Sequence, residues 1–400
     1  MPLLPRTTDD DHLNHRRSGP DPVHIDLGRP RDQRVTDRSS KTVMAPFETH
    51  PGGDAAPLAG LRQRFDRALA GFLKQRSGDL CADDLTAAFH LIRRFVLADG
   101  KRLRPSFCYW GARCGRDPDD EDALIRAAAS LELFHSFALI HDDIMDASEL
   151  RRGEPTLHRS LARTIPEQHH HRDRLGVSLA ILAGDLLAMW SEQMFTESGV
   201  DADRLVRARS WLARMRNEVV VGQYLDLTIG AGSVAAAERV IMLKTARYTV
   251  TRPLQVGGAL AGLPDALLLE FERFGDPLGT AFQLRDDLLG VFGHPARTGK
   301  PVIDDLREGR PTVLIEIARR RAGPRQREEI DRAYGDPQLS EETAEKLRRL
   351  IAATGAVHEV EMLIEQRRRE ALGVLARMAV AAPARRALEH LASAVTVRLR

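Results

Sequence analysis

From Leu58 onward, apolar side chains recur at three- and four-residue intervals, beginning with Leu58, Leu61, Phe65, Leu69 and Phe72. That spacing lines them along one face of an α-helix, whereas a half-buried strand would hide every second residue. The same period runs through 121–146, 176–198, 203–230, 234–260 and 265–292, with no strand-like alternation and no internal repeat. Breakers punctuate the pattern at Gly153–Pro155, Gly262–Pro264 and Gly293–Pro295. Ser340 ahead of Glu341 and Glu342 predicts a further helix start, with a hydroxyl to cap N–H groups and acids at the positive end of the helix dipole. Amphipathic helices in this number bury their apolar faces against one another. The expected fold class is all-α, a single large helical domain over 57–400.

Residues 1–56 depart from this pattern. They are rich in Asp, Arg, Pro and His, and Phe47 is their one aromatic residue. Such a segment buries too little apolar surface to offset its ordering entropy, so a disordered N-terminal extension is expected. Asp9, Asp10 and Asp11 and several Arg near the start leave no apolar core for a secretory signal. No uninterrupted apolar run approaches 18 residues, so no transmembrane segment is expected either. Cys81, Cys108 and Cys114 are odd in number and lack CxxC spacing, which supports neither a disulfide framework nor a zinc site. The expected location is cytoplasmic.

The sharpest local feature is His141-Asp142-Asp143-Ile144-Met145-Asp146, at the end of the apolar stretch 131–140. On a helix Asp142 and Asp146 are one turn apart and point the same way, where like charges repel. A divalent cation gives the pair a purpose, because two carboxylates on one face can hold Mg2+ and leave positions for phosphate oxygens. A second cluster, Phe282-Gln283-Leu284-Arg285-Asp286-Asp287-Leu288-Leu289-Gly290, puts Gln283 and Asp286 on one helical face. Together the clusters suggest a metal site closed from two sides.

Cations accompany both clusters. Lys101, Arg102 and Arg104 follow Gly100; Arg151 and Arg152 follow the first cluster; Lys244-Thr245 lies within an apolar helical stretch; Lys300 follows the second cluster. Six lysines (41, 74, 101, 244, 300 and 346) stand among 59 basic residues, so the chain strongly prefers Arg, and three of its exceptions fall in these groups. A compact, mobile ammonium suits some anion sites better than a planar guanidinium. Carboxylates, Mg2+ and cations in one place are what a phosphate polyanion needs. Nucleic acid fits poorly as that polyanion: carboxylates would repel its backbone, the net charge is +2 and no basic run is interleaved with aromatics. A P-loop is lacking as well.

Seven motifs in order resemble those of the trans-isoprenyl diphosphate (polyprenyl) synthases: GKRLRP at 100, His135 with HDDIMD, RRG at 151, GD at 184, KT at 244, FQLRDD at 282 and GK at 299. The resemblance covers nearly all of 57–400 and implies the isoprenoid synthase fold, helices around a central cavity. It implies that Asp142, Asp146 and Asp286 ligate metal, with Asp143 in support, and that three Mg2+ are used. Lys101, Arg104, His135 and Arg152 are similar to residues that grip isopentenyl diphosphate. Arg151, Lys244 and Lys300 resemble those that hold the allylic diphosphate, and Thr245 and Gln283 those that face the developing allylic cation. A homodimer is also implied.

The second motif of that family usually reads DDxxD, and here Gly290 stands at its last position. The resemblance places the floor of the product pocket just before the first motif, where Phe134, Phe137 and the small Ala138 lie. It points to a geranylgeranyl (C20) product, with farnesyl or longer diphosphates as alternatives. A class I terpene cyclase would need no second anion site, and a regulatory subunit would not keep DDIMD, RRG, KT and GK intact. His169, His170 and His171 sit in a polar stretch between helices, where a solvent loop is expected.

Overall fold

The computed structural model describes residues 58–80, 85–115, 119–230, 232–293 and 302–396. The expected disordered extension, Cys81 and Lys300 lie outside them. The chain forms helices α1 (Leu58–Asp79), α2 (Thr86–Leu97), α3 (Leu103–Ala112) and α4 (Glu121–Met145), then a small antiparallel ladder, β1 (Leu150–Arg151) with β2 (Glu154–Pro155). Next come α5 (Leu157–Ala162), α6 (Arg172–Thr196), α7 (Ala202–Thr228) and α8 (Val234–Val240). A π-helical segment, Ile241–Thr251, runs without a break into α9 (Arg252–Leu260). After α10 (Asp265–Phe292) follow α11 (Val302–Glu308), α12 (Val313–Arg321), α13 (Pro324–Ala333), α14 (Glu341–Ala353), α15 (Ala356–Arg377) and α16 (Ala382–Thr396).

The five long helical stretches read from the sequence are all present. The Ser340 hydroxyl caps α14 by accepting from the Thr343 N–H at 3.2 Å. Two details differ from the sequence reading. Gly153, at φ 78°, turns the β1–β2 ladder where no strand was expected, and residues 241–251 adopt the wider π-helical turn.

α4 is buried nearly all round and packs on α6, α3 and α1, while α10 packs on α15 and the π-helical segment. Phe65, Phe107, Trp110, Phe195, Phe271 and Phe274 are fully buried in the main core. Each such ring contributes about 2–3 kcal/mol of burial. A second apolar cluster joins Leu284, Leu288 and Val291 of α10 to Ile303 and Leu306 of α11 and to α12–α15. By length and composition α4 and α6 could each cross a membrane, a test that tolerates the scattered charges that interrupt an apolar run. Within the protein, 72% of the most apolar window of α4 is buried but only 39% of that of α6.

Candidate active site

Asp120 starts α4 by accepting from the Ala123 N–H at 2.9 Å, and Ala147, at φ 51°, turns the chain away beyond its end. The motif Asp142–Asp146 therefore occupies the last turn. This is the negative end of the helix dipole, where carboxylates are disfavoured. Cations from three other places, joined by one amide donor, offset that cost. Arg151 grips the buried Asp143, with Nε 2.8 Å from both carboxylate oxygens, and reaches Asp142 Oδ2 at 3.6 Å. Lys244, from the π-helical segment, lies 3.3 Å from Asp142 Oδ1 and 2.6 Å from Asp226 Oδ2. Arg310, between α11 and α12, pairs with Asp146, Asp226 and Glu308. Gln223 of α7 donates to Asp142 Oδ1 at 3.1 Å. Burial alone would push the Asp142 carboxyl up, but Lys244, then Arg310 and Arg151, hold it below its usual range. Arg151 and Arg310 are raised in turn, the carboxylates outweighing their burial.

Three of these contributors were missed in the sequence. Gln223 and Asp226 are i and i+3 on α7, a weak signal on a helix with many polar residues. Arg310 was one arginine among many, although Gly309-Arg310-Pro311-Thr312 follows an acidic pair much as Gly299-Lys300 follows the second cluster.

On the opposite wall Gln283 donates to Asp287 Oδ1 at 2.8 Å. The Asp287 carboxyl is pushed up to about 7 by burial first, then by the charges of Asp286, Asp305 and Asp226. Asp226 thus faces both walls, pairing with the cations of the first and repelling the carboxylate of the second. Thr245 is half-buried on the π-helical segment.

Beside the first wall lies a cavity of about 280 Å³, lined by His135, Arg151 and Arg152 as expected and also by Arg94, Arg102 and Arg163. Arg94 pairs with Glu154 at 2.8 Å, and Arg102 with Glu132 and Asp66, each at 2.8 Å. Burial holds Arg152 below its usual range, with Arg151 and Arg102 repelling it and Glu132 giving partial relief. His135 is held well below the usual imidazole range by burial and by Arg104, Arg151, Arg152 and Arg102, and so is neutral. A pocket with this excess of positive charge suits an anion. Arg104 reaches His135 through Tyr248: its guanidinium sits 4.1 Å from the ring centroid, and the Tyr248 hydroxyl is 3.4 Å from His135 Nδ1. Lys101 is exposed at the start of α3.

Phe134 and Phe137 pack with tilted rings in the two turns before the aspartates, centroids 5.1 Å apart, and Phe137 meets His141 edge-on at 4.7 Å. The GD pair at 184 serves this packing. A Cβ on Gly184 would overlap the His141 ring, and Asp185 lies 3.6 Å from its Nε2. His169, His170 and His171 are exposed between α5 and α6. Among the described residues no three His, Cys, Asp or Glu converge on one point. The Lys244 ammonium and the Arg310 guanidinium instead stand among Asp142, Asp146 and Asp226. Those carboxylates are hard oxygen donors already holding positive charge, which fits a hard divalent cation.

An all-α chain with two acidic clusters, their cations and an adjoining cationic cavity is what these features define. The model of the polyprenyl synthetase family matches residues 87–351. A geranylfarnesyl diphosphate synthase of Aeropyrum pernix is 35% identical over 281 residues, 69% of this chain and 81% of that protein. A geranylgeranyl diphosphate synthase of Mycobacterium tuberculosis is 31% identical over 283 residues, 70% of this chain and 75% of that one. The crystal structure of a Corynebacterium glutamicum geranylgeranyl pyrophosphate synthase, complexed with isoprenyl diphosphate and magnesium, has a TM-score of 0.81. Its identity is 38%, covering 86% of this chain and all of that one. The chain belongs to the polyprenyl synthetase family and is a trans-prenyltransferase.

Proposed function

We infer that the enzyme condenses isopentenyl diphosphate head-to-tail with allylic diphosphates, uses three Mg2+, releases geranylgeranyl diphosphate (C20) and works in the cytoplasm as a homodimer. The observation that carries the site reading is the pairing of an aspartate wall, held by Lys244, Arg151 and Arg310, with an adjoining cationic cavity around His135 and Arg152. Two anion sites side by side suit two diphosphate substrates and leave a one-diphosphate terpene cyclase without a use for the second.

In this reading Asp142 and Asp146 on one wall and Asp286 on the other hold Mg2+, which supplies charge neutralisation to the leaving diphosphate. Arg151, Lys244 and Lys300 hold that diphosphate from the protein side and stabilise the charge that builds up as the allylic C–O bond breaks. Thr245 and Gln283 turn polar atoms toward the allylic cation. His135 and Arg152, with Lys101 and Arg104, position isopentenyl diphosphate so that its alkene attacks the cation. The buried surroundings keep water away, and the proton lost from the adduct leaves on the released diphosphate. Phe134, Phe137 and Ala138 bound the growing chain. Solvent-exposed Leu175, Leu179, Leu182 and Met189 on one face of α6, with Val220, Tyr224 and Leu227 on α7, support pairing with a second copy.

The test is incubation with Mg2+, isopentenyl diphosphate and C5, C10 or C15 allylic primers, with product length read by chromatography. A C20 product is expected, and Asp142→Ala should abolish it while leaving the fold intact. A cyclised hydrocarbon formed without isopentenyl diphosphate, or full turnover in Asp142→Ala, would sink the reading.

A further inference from the structure

The second aspartate motif is incomplete on its own helix. Asp286 and residue 290 project from one face of α10 a turn apart, yet residue 290 is Gly. The space a side chain would take there is already filled. A Cβ built on Gly290 would overlap Asp305 Oδ2, with Asp305 Cγ at 3.0 Å and its Cβ at 3.6 Å. Asp305 belongs to α11, whose Ile303 and Leu306 are buried in the same apolar cluster as Leu284, Leu288 and Val291 of α10. Those contacts fix the register of the two helices, so the carboxylate is aimed by packed backbone. Its charge faces Asp287, as do those of Asp286 and Asp226. Any side chain at 290 would drive Asp305 out of this place, so the glycine and the aspartate make sense as a pair.

We propose that Asp305 supplies from α11 the carboxylate that the motif on α10 lacks at Gly290, so that the two helices together form the second metal-facing wall. The small residue on α10 admits the acid from α11. The inference rests on the site reading above, in which the aspartate walls hold divalent cations and diphosphate.

The test measures the melting temperature of the full chain as Mg2+ is titrated in the presence of inorganic pyrophosphate. Asp305→Asn keeps the size of the side chain and removes its charge, and it should raise the half-saturating Mg2+ concentration about tenfold or more. The exchange variant Gly290→Asp with Asp305→Gly moves the carboxylate back to α10 and should bring that concentration to within about threefold of wild type. An Asp305→Asn protein with the wild-type Mg2+ midpoint overturns the proposal, as does an exchange variant that folds by circular dichroism yet responds as poorly as Asp305→Asn. If the wild type itself neither responds to Mg2+ and pyrophosphate nor makes a prenyl diphosphate, the site reading fails and takes this inference with it. If the wild type does both and Asp305→Asn responds identically, the role of Asp305 alone is wrong.

Discussion

Replacing Arg310 by Met removes one charge from the first wall while keeping most of the side-chain length. In the wild type this guanidinium pairs with Asp146 and Asp226 and stands 4.0 Å from Asp142. Breaking a buried ion network by removing one partner costs about 3–5 kcal/mol, because the abandoned charges stay buried. The Arg310 side chain is 23% exposed, and Asp226 keeps Lys244 as a partner, so a loss of about 2–3 kcal/mol is expected. In a chain of this size that lowers the melting temperature by about 5 °C. Two further measurements separate lost charge from lost packing. Millimolar Mg2+ should raise the melting temperature of the variant more than that of the wild type, since the divalent cation takes over the missing charge. Acid should narrow the gap too. The wild-type Asp142 carboxyl is depressed, so its contribution is present above the unfolded carboxylate pKa and is lost as pH falls through the lowered value. In the variant the unpaired acids protonate earlier and stop repelling one another. Differential scanning fluorimetry with EDTA or Mg2+, at about pH 8 and about pH 3, reads all of this. A variant melting within about 1 °C of wild type in EDTA, with the same response to Mg2+, would refute the reasoning.

Three other outcomes follow from the geometry. Asp287→Asn should stabilise the metal-free protein above neutral pH by about 2–4 kcal/mol, because each unit of pKa shift is worth about 1.4 kcal/mol. The sign follows from the raised folded-state pKa of about 7: the wild type is favoured fully below the unfolded value of 3.8 and loses that support as pH rises through about 7, so urea titrations should show the advantage of Asn fading on acidification. Gly184→Ala should cost about 1–3 kcal/mol in the same titrations by forcing the His141 ring off α6, and an unchanged midpoint would mean that the two helices part freely. Phe137→Ala should lengthen the product by at least one C5 unit, read by chromatography; an unchanged length would place the floor of the pocket elsewhere.

The long helices were legible because their apolar faces repeat every three to four residues over more than twenty positions. The π-helical turn at 241–251 was not, since its residues keep helical composition and only the i→i+5 bonding distinguishes it. At the site the acids of α4 stood out because neighbouring carboxylates on one face make little structural sense without a cation. Asp226 and Arg310 stayed hidden for the opposite reason: one acid on a polar helix and one Arg in an Arg-rich chain carry no local signal, and only the fold brings them to Lys244. The scarcity of lysine did point at Lys244, which proves half-buried between two carboxylates. Lys74 and Lys346 are exposed, as is Lys101. Gly290 was visible as a departure, whereas the carboxylate occupying its place comes from a helix fifteen positions further along the chain.

Arg152 holds a left-handed backbone at φ 55°, beside Gly153 at φ 78°. For a side chain other than Gly that conformation costs on the order of 1 kcal/mol. Arg152→Gly would therefore relieve the backbone, dispose of a guanidinium crowded by Arg151 and Arg102, and strip the anion cavity of one of its cations. A directed-evolution campaign scored on heat resistance alone would reward that codon change, and one scored on turnover would purge it. Where the two screens disagree most sharply along this chain, they should mark the positions at which catalysis is maintained against the preference of the fold.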